Sequence, residues 1–153
     1  MKIDLHCHSA HSKRPTLWIM KKVGCPESFT LPIDLYNLAR QRGMDAVTIT
    51  DHNVIDGCLD IADQENTFIS CEYTTYFNDG RKAHILAYDI TEEQHAVLSK
   101  ARENIFDLVN YCQAEDIYTV CAHPLWGPGE RLELRHIEIL LLLFKRWELN
   151  GNI

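Results

Sequence analysis

The chain has 153 residues, enough for one domain with a real core, and 46% of them are hydrophobic, an ordinary share for a globular protein. A formal charge of −7 at pH 7 excludes binding of bulk nucleic acid through a general basic field. It leaves room for a phosphorylated substrate, because bound cations reverse a local field.

The first element is a short apolar strand, Met1-Lys2-Ile3-Asp4-Leu5, that ends in His6-Cys7-His8. Residues i and i+2 of a strand point to the same side, so His6 and His8 can share one ion. A polar stretch follows, with Lys13, Arg14, Lys21 and Lys22 forming a basic cluster suited to gripping a phosphate, Arg14 bidentately. The same cluster also reads as an ordinary solvated loop. The spacing predicts a helix over 33–41 that stops at Gly43. A buried strand over 46–50 leads into Asp51-His52-Asn53, and a short helix over 56–64 comes next. Residues 68–75 form a β-rich run containing Glu72. Asn78-Asp79-Gly80 then marks a hairpin turn into a partner strand, 83–88, that carries His84.

Thr91-Glu92-Glu93-Gln94 looks like a cap for one long helix reaching Cys112. A strand over 117–121 ends beside His123-Pro124. A helix over 133–144 and a last strand over 146–149 complete the pattern. The most apolar segment, 137–144, is too short to span a bilayer and carries Glu138. Six scattered cysteines, no Cys-x-x-Cys and no secretory segment point to reduced thiols and a cytoplasmic protein. Strands alternating with helices predict parallel pairing through right-handed crossovers, with active-site residues at the strand C-termini.

Taken one at a time, the candidates have bland readings. His84 could be a satisfied core histidine, His123 a residue closing a strand before Pro124, and Glu72 a salt-bridge partner. Taken together, histidines repeated at strand ends on one face, with one glutamate, fit a site for two or three divalent ions such as zinc, manganese or iron. His95 and His136 fall in predicted helices and read as solvated surface residues.

The ordered set Asp4-Leu5-His6-Cys7-His8-Ser9, Thr50-Asp51-His52-Asn53, Cys71-Glu72, His84-Ile85-Leu86 and Ala122-His123-Pro124 resembles the motifs of PHP (polymerase and histidinol phosphatase) domains. The resemblance covers nearly the whole chain as one domain, 1–153. It implies part of a distorted (βα)7 barrel with a metal centre at the strand C-termini, and phosphoesterase or nuclease chemistry in which metal-activated water attacks phosphorus. By motif, His6 and His8 would serve a first ion, Glu72 would bridge two, His52 would serve a second, and His84 and His123 a third. Asp51 would orient a ligand or water.

Two departures from the family accompany these matches. Lys13 stands where many members have an aspartate ligand, leaving His11 as the evident substitute. No Asp-x-His follows Glu148-Leu149-Asn150-Gly151, which implies a domain lacking its last ligand motif. The resemblance therefore implies either an enzyme acting on a small phosphorylated molecule or a nucleotide end, or a catalytically weak metal-binding module. Open sheet edges in such a domain would call for a second copy or a partner chain.

Overall fold

The computed structural model describes residues 1–12, 27–125 and 132–148. The basic cluster, Arg14 included, lies outside the described residues. No helix among those described is long and apolar enough to cross a membrane.

Strand β1 (Ile3–Asp4) pairs in parallel with β2 (Ala46–Val47). Between them runs helix α1 (Pro32–Gln41). Proline at its first position sacrifices no helical hydrogen bond, and Gly43, at φ +76°, turns the chain out. After β2 comes one short turn of helix, α2 (Asp56–Leu59), shorter than the periodicity predicts. Strands β3 (Ser70–Tyr76) and β4 (Lys82–Tyr88) form the expected hairpin, closed by Gly80 at φ +84°. Helices α3 (Glu92–Ala101) and α4 (Ile105–Ala114) lead to β5 (Tyr118–Ala122), and α5 (Leu134–Leu143) follows. Beyond it, Arg146 and Glu148 hydrogen-bond to Cys121 from the free side of β5.

Two expectations fail here, for one reason. The segment predicted as one long helix is two, because the Asn104 side chain accepts a hydrogen bond from the Phe106 N–H and starts a new helix. One crossover helix would carry the chain to the far end of the sheet and make β5 parallel to β4. Two packed ten-residue helices, each rising about 1.5 Å per residue, cancel each other's displacement. The chain re-enters where it left, and β5 runs antiparallel to β4, with Tyr118 opposite Tyr88. The strands therefore form two sheets, β1–β2 parallel and β3–β4–β5 antiparallel, and no closed barrel forms among the described residues.

The two-residue period of β3–β5 separates core from site. Cys71, Tyr73, Ile85, Ala87 and Cys121 face a core built with Leu98, Ile105, Leu108 and Leu140. Glu72, His84 and Leu86 occupy the alternate positions. On the other side of the molecule, Tyr36, Val47, Ile49, Cys58 and Ile61 form a smaller cluster. The described cysteines are free thiols. Burial pushes Cys112 and Cys121 up to about 12, as expected for thiols acting as small hydrophobes.

The two helical histidines are not solvated. His136 is 2% exposed; its Nδ1 accepts the Glu133 N–H, and its Nε2 lies 2.9 Å from Asp79 in the hairpin turn. The His95 ring is half-buried and sits 2.6 Å from the Tyr73 hydroxyl. Helical periodicity reports which face a residue occupies, but not whether the hairpin reaches over that face. Replacing His136 with Leu should leave Asp79 and the cap N–H without this partner and cost about 1–3 kcal/mol, read as a lower denaturant midpoint.

Candidate metal centre

Five segments bring their polar residues to one point. His6 and His8 leave β1 two residues apart, with ring centroids 5.1 Å apart and Nε2 atoms separated by 3.2 Å. His52 follows β2, whose continuation bridges β3 at the His52–Glu72 pair. Asn53 sits at φ +61° and locks that crossing: its N–H donates to the Glu72 carbonyl, and its side-chain oxygen accepts the Thr74 N–H at 2.9 Å. His84 is the third residue of β4 and lies opposite Ala122. The antiparallel return thus places the start of β4 beside the end of β5 and next to His123. The expectation of strand C-termini fails for His84, since a strand running the opposite way offers its N-terminal end to the same edge.

Glu72 stands at the centre with no exposed surface. Its Oε1 is 3.0 Å from both His84 Nδ1 and His123 Nε2. Its Oε2 is 3.1 Å from His6 Nε2, 3.2 Å from His8 Nε2 and 3.4 Å from His52 Nδ1. Burial alone would push this carboxyl up, but hydrogen bonds from His123, His6, His8 and His84 outweigh it and hold the group well below the usual carboxylate range. Burial likewise opposes charge on His6, yet Glu72 and Glu148 raise it to about 9. His52 is raised against burial by Glu27 and Glu72, whereas burial prevails at His84 and lowers it.

Two further carboxylates enter the site. Both oxygens of Glu148 lie on His6 Nδ1, at 3.0 and 3.1 Å, and one accepts the His123 N–H. Glu27 Oε2 lies 3.3 Å from His52 Nε2. Glu148 follows the strand-end rule that singled out the histidines and was legible on those grounds. Glu27 sits in a loop without periodicity, and nothing in the sequence marks it.

The side chains form four groups whose potential ligand atoms lie within 4.8 Å of one another: His6/His8/Glu72, His6/His123/Glu148, His8/Glu27/His52 and His52/Glu72/His84. Imidazole nitrogens with carboxylate oxygens are a donor set suited to zinc, iron or manganese. The Nδ1 atoms of His8 and His52 are buried without a hydrogen bond, so the site's polar capacity is not used up within the chain. These residues fit divalent cations.

His11 joins none of the four groups; its Nε2 is 2.8 Å from Asp60. Asp51 is also outside them. It is 1% exposed, its carboxyl is pushed up by burial, and it accepts the Ser9 N–H at 2.7 Å and the Ser9 hydroxyl. Asp51 therefore fixes the turn that follows His8. Gly57 packs against this pair so closely that an added Cβ would sit 2.3 Å from Asp51 Oδ2 and 2.8 Å from Ser9 Oγ.

No family model matches the chain. Over 68 residues it is 35% identical to the uncharacterized protein MJ1587 of Methanocaldococcus jannaschii, a stretch that makes up 44% of this chain and only 38% of that protein. A solved structure of a proposed metal-dependent phosphoesterase from Bifidobacterium adolescentis superposes with a TM-score of 0.64. It shares 12% identity, and the overlap covers 96% of this chain and 76% of that one. An amidohydrolase from Chromobacterium violaceum, with bound sulfate and no metal, gives a TM-score of 0.62 at 15% identity, covering 93% and 72%. The chain thus has a mixed α/β fold shared with structures described as hydrolases.

Two outcomes follow from the geometry. Gly57→Ala should lower stability by about 1–3 kcal/mol through overpacking against Asp51 and Ser9, read by denaturant unfolding. In chelator, the chain should also show two pH limbs. His6, raised from 6.5 to about 9, contributes stability that is fully present below 6.5 and is lost as pH rises through about 9. Glu27, lowered from 4.5 to about 2, contributes stability that is present above 4.5 and is lost as pH falls through about 2. His6→Gln should flatten the alkaline limb and leave the acid limb in place.

Proposed function

We propose that this chain is a metal-dependent phosphoester hydrolase of the PHP type, acting on a small phosphorylated molecule or a nucleotide end. The observation that carries this reading is Glu72: a fully buried carboxylate with two oxygens directed at different imidazoles, the arrangement a bridging ligand between neighbouring cations requires. The order of the motifs supports the phosphoester class, and the fold shared with a proposed phosphoesterase agrees with it.

His6, His8, His52, Glu72, His84 and His123 would hold the ions. Divalent cations bound there would supply Lewis-acid charge to phosphoryl oxygens and an activated water for in-line displacement.

The chain's own residues set up the site. Glu148 engages His6 at Nδ1 and would keep a proton there, so that Nε2, directed toward Glu72 and His8, would be the nitrogen offered to an ion. Glu148 is therefore an orienting partner of His6. Asp51 acts one step further out, through Ser9, on the loop that carries His8.

The test is metal analysis of protein purified without chelator, followed by turnover of phosphomonoesters and phosphodiesters with manganese, zinc or iron. Roughly two to three ions per chain and metal-dependent hydrolysis are expected. Glu148→Gln should reduce activity about 10–100-fold, and Glu72→Gln by more than that. Absence of divalent-dependent hydrolysis across the panel, with the ions bound, would overturn the phosphoesterase reading.

A further inference from the structure

The loop that returns at Glu27 is fastened to the turn after His8. Ala10 donates to the Thr30 carbonyl at 2.9 Å, Glu27 N–H donates to the Ser12 carbonyl at 3.1 Å, and Ser12 N–H donates to the Ser9 carbonyl at 3.1 Å. Ser12 has no exposed surface, and its hydroxyl donates to Glu27 Oε2 at 2.6 Å. The same hydroxyl lies 3.4 Å from the His52 N–H. One buried serine thus ties the carboxylate to the residue whose ring it faces.

That ring is His52, 8% exposed, with Nε2 3.3 Å from Glu27 and Nδ1 making no hydrogen bond. His8 stacks on it at 4.8 Å with an interplanar angle of 22°. Glu27, His52 and His8 form a donor set of two nitrogens and a carboxylate oxygen within 4.8 Å. His11, the sequence-based candidate for this role, is turned to Asp60 instead.

We infer that Glu27, positioned by Ser12, is the carboxylate ligand of a divalent-cation site completed by His8 and His52. This inference rests on the metal-centre reading above and adds to it a ligand delivered from a loop far from the strand-end motifs. The Ser12 hydroxyl holds Glu27 Oε2 on the side of the carboxylate that faces His52 Nε2, the orientation a shared ion needs. Ser12 is thus a positioning residue, the same relation that Asp51 has to Ser9 one turn earlier.

The experiment is manganese binding by titration calorimetry, with metal content by elemental analysis, on the whole chain and on Glu27→Gln, Ser12→Ala and His11→Ala. Glu27→Gln should bind one ion fewer per chain, with the remaining sites unchanged. Ser12→Ala should keep the ion count and weaken that ion about 10–100-fold. His11→Ala should match the parent chain. Should Glu27→Gln fail to fold by circular dichroism, Glu27→Asp retaining more manganese than Glu27→Ala supports the same assignment, and equal retention overturns it.

Full stoichiometry and affinity in Glu27→Gln, or loss of an ion in His11→Ala, would overturn the assignment. A parent chain that binds the ions without hydrolysing any phosphoester would overturn the proposed function and leave this site standing. A parent chain that binds no ion would overturn both.

Discussion

Burying the Glu72 carboxylate is the constraint on which the rest of the molecule depends. An ionised group taken out of water costs several kcal/mol even after relaxation, so the fold must surround it with partners. It does so with imidazoles from five places in the chain: His6, His8, His52, His84 and His123. Each can approach only if its strand has the correct register. Without cations, protons do part of this work, and the raised pKa of His6 is the trace of it. Cations and protons compete for the same nitrogens, which makes binding at such a centre a proton-releasing event.

The antiparallel return of the chain is what completes this ring. Had β5 entered parallel to β4, His84 and His123 would lie at opposite ends of their strands. Instead His84 pairs with Ala122, and both rings reach one oxygen of Glu72. The break at Asn104, a matter of one side-chain cap, therefore has a consequence on the far side of the sheet. The helices close the opposite face, where Tyr73 and Ile85 are fully buried. Core and site are the two faces of the same strands.

Features that depend on local chemistry were legible in the sequence. The His6–His8 spacing, the hairpin at Asn78-Asp79-Gly80 and the helix ahead of Phe144 all appear where periodicity and turn chemistry put them. Features that depend on which element returns beside which were not. Nothing local says that the hairpin turn reaches over His136, that Asp60 captures His11, or that a loop brings Glu27 to His52. Strand direction belongs to the same class, since a helical pattern of twenty residues looks alike whether it is one crossover or a pair that doubles back.

The donors also straddle a structural divide. β1 and β2 form one small sheet and β3–β5 another, linked by isolated bridges at Val47–Thr67 and His52–Glu72. His6, His8 and His52 come from the first unit; Glu72, His84 and His123 come from the second. Two contacts reinforce the junction: Glu148, beside β5, reaches His6, and the Tyr88 hydroxyl donates to the Leu5 carbonyl. Backbone pairing across the divide is sparse, so much of the cohesion there is polar and converges on Glu72. Ions bound between these donors would relieve the repulsion between the His6 and His52 imidazoles and add attractive bonds spanning both sheets. Metal affinity and the packing of the two sheets are then one free energy, because a centre assembled from both has no counterpart in the unfolded chain.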